Sequence, residues 1–160
     1  MIFPSSAPQP YKCENHGDSF VFTTDFNLTY EIYYLDGAAY LPDTAFGMHT
    51  KILGFKLITG PIKDIPSDLR IVSTILYNIN QRFQDKETVI IYTCDQVDGR
   101  EKVRKRLFDK WFVEHNTELL KVDLEFDNTL FITILYHPDN SNRAEIEQTI
   151  PDLKDKWGLA

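Results

Sequence analysis

The sequence predicts an α+β protein with a mixed, mostly antiparallel sheet and helices packed on it, in the order β-β-β-α-β-α-β-β-α. Three observations carry this. Several segments alternate apolar and polar residues with the period of two that suits a half-buried strand. One short run, Val89-Ile90-Ile91-Tyr92, is apolar at every position, which suits a strand covered on both faces. Other segments switch to a 3.6-residue period.

Taken in order, Phe20 and Phe22 alternate with Val21 and Thr23, then Leu28, Tyr30, Ile32 and Tyr34 alternate with Thr29, Glu31 and Tyr33. Asp25-Phe26-Asn27 between them has hairpin-turn composition. Asp36-Gly37 closes the second strand and opens a loop to about His49. A third strand is expected over Lys51 to Ile58, stopped by Gly60-Pro61. Leu69, Val72, Ile75, Leu76, Ile79 and Phe83 then form one helical stripe, with Ser67 as the expected N-cap. The buried strand over Thr88 to Cys94 follows and belongs at the sheet centre. A second helix is expected from Asp98, which with Glu101 has capping-box spacing, to about Glu114. Leu119 to Phe126 and Leu130 to Tyr136 alternate on either side of Asp127-Asn128, a tight-hairpin signal. A short helix over Arg143 to Thr149 is expected to end or kink at Pro151.

The chain has 160 residues, and its 42% apolar and 13% aromatic content is enough for one core. Residues 1–10, with Pro4, Pro8 and Pro10, are expected to form a flexible or extended arm. Residues 11–160 are then expected to make a single domain. A net charge of −7 disfavours general attraction to nucleic acid or an anionic membrane. No apolar run approaches the roughly 20 residues of a membrane-spanning helix. No charged leader with an apolar stretch opens the chain, and two cysteines, Cys13 and Cys94, do not make a disulfide framework. A cytoplasmic protein is expected.

The most distinctive stretch is Ile91-Tyr92-Thr93-Cys94-Asp95-Gln96-Val97-Asp98-Gly99-Arg100, followed by Arg104, Leu107-Phe108 and Trp111-Phe112. With Tyr30-Glu31 and Thr74 upstream, it resembles a family of small bacterial proteins of unknown function, mainly from Bacteroidetes, from about residue 18 onward. That resemblance implies a compartment but no mechanism. Separately, the element order looks like the GNAT acyltransferase fold. Such enzymes hold the cofactor pyrophosphate on a glycine-rich Q/R-x-x-G-x-G/A turn that enters the first crossover helix, where free N–H groups face the anion. Here the corresponding stretch is Gly60-Pro61-Ile62-Lys63-Asp64-Ile65-Pro66-Ser67-Asp68. Pro61 and Pro66 lack an N–H, and Asp68 puts a negative charge where the phosphate would sit. The turn chemistry opposes the enzyme that the element order suggests, and no cofactor is expected.

Cys94 is the weak candidate for a catalytic nucleophile: it ends the buried strand, and Arg100 would lower its pKa, but no histidine is close in sequence. Buried cysteine more commonly serves as a small hydrophobe. His16, His49, His115 and His137 show no metal-ligand spacing, and Asp95 and Asp98 have simpler roles at a strand end and a helix cap. Arg100 to Lys110 holds six basic and two acidic residues. Lys102, Lys105, Arg106 and Lys110 lie off the apolar stripe and read as a solvated face, with nucleic-acid contact as the sharper alternative. Arg100 and Arg104 fall instead on the side of Val103, Leu107, Phe108 and Trp111. An arginine there must pair or snorkel, so Arg104 is expected to be largely buried and bonded to a carboxylate or main-chain carbonyl, Asp68 and Asp95 leading, with Arg100 at the rim or pocket beside it. These four residues are the candidates for a buried ion pair or an anion site. The functional expectation is a non-enzymatic module binding a protein or a small acidic ligand. An acyl-CoA-dependent relative and a nucleic-acid-associated accessory protein are the alternatives.

Overall fold

The computed structural model describes residues 8–60, 66–93, 101–115, 118–126 and 130–157; at 101–104, 107, 111, 115, 126, 130 and 131 the description covers the backbone alone. The elements are β1 (Glu14–Asn15), β2 (Ser19–Thr23), β3 (Thr29–Asp36), two 3-10 turns (Ala38–Tyr40 and Gly47–His49), β4 (Thr50–Thr59), α1 (Leu69–Arg82), β5 (Val89–Tyr92), α2 (Glu101–His115), β6 (Leu120–Phe126), β7 (Leu130–Tyr136) and α3 (Arg143–Trp157). The order is the one expected from the periodicities, with β1 and the two 3-10 turns added. Elements of two or three residues are too short to leave a period in the sequence.

The sheet runs β1-β2-β3-β4-β5-β7-β6. β1/β2, β2/β3, β5/β7 and β6/β7 pair antiparallel, whereas β4 and β5 pair parallel, Thr50 opposite Val89 through Leu53 opposite Tyr92. Parallel neighbours need a long connection, and α1 lies in the sequence between these two. β5 is flanked by β4 and β7, and all four of its residues are buried. The unbroken apolar run therefore marks a central strand, as expected.

The contacts form two compact units. Unit 1 comprises Met1–Tyr34, Gly54–Gln84 and Cys94–Thr117. Its core is aromatic. Phe22 stacks on Tyr11, Tyr30 and Phe55 at centroid distances of 5.6, 5.7 and 6.3 Å, and Tyr30 lies 4.8 Å from Phe55. The β2–β3 turn is held by Thr24, whose Oγ1 accepts from the amides of Phe26 and Leu28, while Asn27 takes a left-handed φ of 61°. Gly60 has φ 138°, and a Cβ there would come within 2.4 Å of Leu28 Cδ2, so β4 ends where only glycine fits.

Helix α1 buries Val72, Ile75, Leu76 and Ile79 of the expected stripe, but Leu69 stays exposed. Ser73, Thr74 and Asn78 are buried beside them. Each is satisfied locally or across the unit: Thr74 Oγ1 donates to the Arg70 carbonyl at 2.6 Å, and Tyr34 donates its phenol to Asn78 Oδ1 at 2.6 Å. The N-cap is Asp68 rather than Ser67; its Oδ1 accepts from the Arg70 amide at 3.0 Å. A carboxylate at this position adds favourable charge to the capping hydrogen bond. In α2, Phe108 is buried and stacks on Phe112 at 6.0 Å. Lys105, expected on the solvated face, keeps only 17% of its side-chain surface exposed and pairs with Asp109 at 2.6 Å. The capping box at Asp98 and the Asp127-Asn128 turn lie outside the described residues; β6 and β7 close in register, Phe126 opposite Leu130.

Unit 2 comprises Leu35–Leu53, Asp85–Thr93 and Glu118–Ala160. Val89 and Ile91 of β5, Leu124 of β6, Ile134 and Tyr136 of β7, and Ile146, Ile150 and Leu153 of α3 form its core with Leu41 and Phe46. Helix α3 does not stop at Pro151 but continues to Trp157. The reason lies in spacing. Ile146, Ile150, Leu153 and Trp157 follow the 4-3-4 pattern of one helical face, and all four pack into the core cluster. Ending the helix at Pro151 would expose Leu153 and Trp157, so their burial outweighs the backbone bond that proline removes.

Two substitutions test this balance by thermal or urea unfolding. Ile146→Ala, at a fully buried position, is expected to lower stability by about 2–5 kcal/mol. Pro151→Ala, at an exposed position, restores a helix donor without losing core packing and is expected to raise stability by about 1 kcal/mol or more. A neutral or destabilising Pro151→Ala would mean that the helix is not under proline strain.

Candidate functional site

Of the residues nominated from the sequence, Asp68 is the one whose side chain is described. Cys94, Asp95 and Arg100 lie outside the described residues, and Arg104 is described only as α2 backbone. Asp68 sits at the start of α1 in a compact polar cluster of unit 1. Its Oδ2 accepts from the Tyr11 phenol at 2.6 Å, and the Tyr11 oxygen in turn accepts from the Asp25 amide at 3.2 Å. Arg70 stacks its guanidinium 3.8 Å from the Tyr11 ring centroid, donates from Nε to the Gln9 carbonyl at 2.8 Å and pairs with Asp25 Oδ2 at 3.0 Å. The Tyr11 amide donates to Thr74 Oγ1 at 2.9 Å. The segment leading into β1 is thus clasped to the first two turns of α1.

The Asp68 carboxylate is committed to the helix amide and the phenol, so the N-terminus of α1 already faces an anion supplied by the chain. Burial and then the bond to Asp68 push the Tyr11 phenol up, which keeps it protonated as the donor. Cys13, half-buried, has its thiol pushed up by burial, which disfavours the thiolate a nucleophile needs. Neither Tyr11 as the partner of Asp68 nor Asp25 as the partner of Arg70 was legible: these contacts join residues 57 and 45 positions apart in sequence and follow no period.

Arg82, at the other end of α1, lies 4.7 Å from the Phe20 ring centroid and 5.7 Å from that of Tyr34. This stacking is the cation–aromatic arrangement that lets arginine lie over an apolar surface. Among the described residues, no group of three or more His, Cys, Asp or Glu side chains is placed to hold a metal ion.

Unit 2 holds a different kind of feature in residues 35–49, the last two residues of β3 and its connection to β4. Leu41 and Phe46 are buried in the core. Glu145 of α3 accepts from the amides of Ala45 and Phe46 at 2.8 and 3.3 Å. Thr44 Oγ1 donates to the Leu41 carbonyl and accepts from the Gly47 amide, and Thr50 Oγ1 donates to the Phe46 carbonyl. The Gly37 amide donates to the Thr50 carbonyl at 2.9 Å, closing the segment at its base. A Cβ at Gly47 would come within 2.7 Å of the Leu41 carbonyl oxygen, so the two 3-10 turns approach too closely for any other residue. From this pinned frame Leu35, Tyr40 and Met48 extend outward at 56, 58 and 75% exposure. Sequence reasoning treated the segment as a plain loop. Its signal was the density of large apolar residues from Leu35 to Met48 in a stretch interrupted by Asp36 and Asp43.

The clasp at α1 is tested by a double-mutant cycle on Tyr11→Phe and Asp68→Ala. Each substitution is expected to cost about 1–2 kcal/mol, with a coupling of about 0.5 kcal/mol or more between them. Strict additivity in urea unfolding would show that the phenol and the carboxylate act independently.

No curated protein matches the chain. Among solved structures it is similar to an uncharacterized protein (bh2621) from Bacillus halodurans, determined by crystallography at 1.55 Å resolution, with 18% sequence identity and a TM-score of 0.42 over 89% of this chain and 68% of that one. A family model described as a family of unknown function (DUF6169) matches residues 67–151, from the residue before the α1 cap to Pro151 of α3. This stretch is more than half of the chain, and it includes the segment after β5 that carries the resemblance noted in the sequence. The chain therefore belongs to the DUF6169 family of unknown function.

Proposed function

We propose that this protein is a non-enzymatic interaction module that receives a protein partner on Leu35, Tyr40 and Met48. The observation that carries this reading is the pinned segment 35–49. Its backbone is held by Glu145, Thr44 and Thr50 while three large apolar side chains are left outside. A surface already fixed in its binding shape loses little conformational freedom on docking. Tyrosine and methionine also suit recognition: tyrosine supplies broad contact area, and the unbranched thioether adapts to its partner.

The acyltransferase alternative rests on element order, with β4 and β5 parallel and α1 following β4. The chemistry at α1 counts against it. Asp68 places a carboxylate on the helix N-terminus where a pyrophosphate would need free N–H groups. The nucleic-acid alternative rests on the basic block of α2. Within it Lys105 is already neutralised by Asp109. No described helix is long and apolar enough to cross a membrane. A cytoplasmic location is part of the same proposal, supported by the free Cys13 thiol.

Two measurements test this function. In calorimetry, acetyl-CoA is expected to show no binding with a dissociation constant below about 100 μM, which corresponds to roughly −5.5 kcal/mol. Tighter binding would move the enzyme reading ahead. In a displayed random-peptide selection, the purified protein is expected to enrich peptides that lose binding when Tyr40 and Met48 are both replaced by Glu. Because both side chains are largely exposed, the double variant is expected to keep the wild-type melting temperature. If every enriched peptide binds the folded double variant equally well, residues 35–49 are not the docking surface.

A further inference from the structure

The charges divide between the two units in a way that the net figure conceals. Unit 1 contains eleven Asp and Glu against eleven Lys and Arg, so it is neutral. Unit 2 contains thirteen Asp and Glu against six Lys and Arg, so it carries the whole net charge of −7. The apolar surface described above belongs entirely to unit 2. Carboxylates also lie within the same segment of chain. Asp36 accepts from the Ala38 amide at 3.0 Å just before the first 3-10 turn, and the exposed Asp43 sits between the two turns at φ 64°. Glu145 accepts from the Ala45 and Phe46 amides just before the second turn.

We infer that the partner received on Leu35, Tyr40 and Met48 is a basic polypeptide segment, with apolar anchors flanked by Lys or Arg. This rests on the reading of that surface as a docking site and adds the chemistry of its occupant. Charge complementarity selects among the occupants an exposed apolar patch admits. A second copy of the chain would bring a unit of −7 against a unit of −7, and like charge opposes that association. An anionic membrane or a small acidic ligand meets the same repulsion. A Lys- or Arg-flanked segment instead gains on-rate from the field of unit 2 and pairs at the rim with Asp36 and Asp43, while its apolar residues cover Tyr40 and Met48.

The test uses the full chain and peptides selected from a displayed random library, classed by whether the folded Tyr40→Glu/Met48→Glu variant abolishes their binding. Surface-dependent peptides are expected to be enriched in Lys and Arg. Their affinity is expected to fall about tenfold or more between 50 and 500 mM salt. It is also expected to fall severalfold in an Asp36→Asn/Asp43→Asn variant. Asparagine keeps the cap acceptor at 36 and tolerates the left-handed backbone at 43, so that variant should fold normally. Surface-dependent peptides that are neutral or acidic, or whose affinity ignores salt, would overturn the charge inference and leave the docking surface standing. Absence of surface-dependent peptides would remove the docking surface and this inference together. Sedimentation showing a dimer that dissociates in the Tyr40→Glu/Met48→Glu variant would assign the surface to a second copy and also overturn it.

Discussion

The burial of β5 on both faces is the constraint from which most of the architecture follows. Four consecutive apolar residues, Val89 to Tyr92, exclude water only if the strand has neighbours on both edges and cover above and below. The chain meets that demand from both directions of the sequence. β4 arrives from before, and because a helix intervenes it lies parallel. β7 arrives from after and lies antiparallel. With these pairings set, β6 has one place to go, on the outer side of β7, since a three-residue connection joins Phe126 to Leu130. Apolar residues of β6, β7 and α3 then form one core with Val89 and Ile91. The same demand explains why α3 tolerates Pro151. A helix whose far end carries Leu153 and Trp157 into that core gains more by continuing than it loses in one hydrogen bond.

What the sequence revealed and what it hid divide along the range of the interactions. Strands and helices repeat locally, so Phe20/Phe22, Tyr30/Ile32/Tyr34 and the α1 stripe could be read from spacing alone, and the element order followed. Asp68 was legible as a charge at a helix start because capping is a local event. Its partner Tyr11 was not, nor was the bond from Glu145 to Ala45, whose partners stand 100 residues apart. Polar residues that work inside the fold were hidden for a related reason. Thr74 and Asn78 interrupt an apolar stripe and look neutral in a pattern of hydrophobicity. In the structure they hold Tyr11 and Tyr34. Pro151 misled in the opposite sense: its local propensity is strong, and tertiary burial overrode it.

The polar clusters share a property that bears on chemistry. Asp68 is engaged by Tyr11 and the Arg70 amide, and Arg70 by Asp25 and the Gln9 carbonyl. Glu87 is engaged by the Ser141 amide and hydroxyl, which hold its carboxyl below the usual range. Each of these groups completes a hydrogen-bonding requirement of the fold. Among the described residues these side chains tie segments of the fold together, and the exposed Leu35, Tyr40 and Met48 and the net charge of unit 2 are two features separate from them.

Those two features act at different ranges, and this gives the exposed surface of unit 2 its physical interest. Apolar contact is short-ranged: covering a side chain such as Leu35 or Met48 contributes about 1.5–3 kcal/mol when burial is complete, and nothing before contact. It is also indifferent to the sign of the partner's charge. The −7 of unit 2 is felt over about a Debye length, roughly 8 Å at physiological ionic strength, so it acts on an approaching chain before any side chain touches. Asp36 and Asp43 stand in the same short segment as Tyr40 and Met48, so the long-range and short-range terms come from one stretch of chain. The frame itself depends on the core, because Leu41 and Phe46 anchor the segment and Glu145 of α3 holds its amides. The burial that centres β5 and the surface that faces outward are thereby linked: the apolar cluster that covers Val89 and Ile91 also fixes the positions from which Leu35, Tyr40 and Met48 extend.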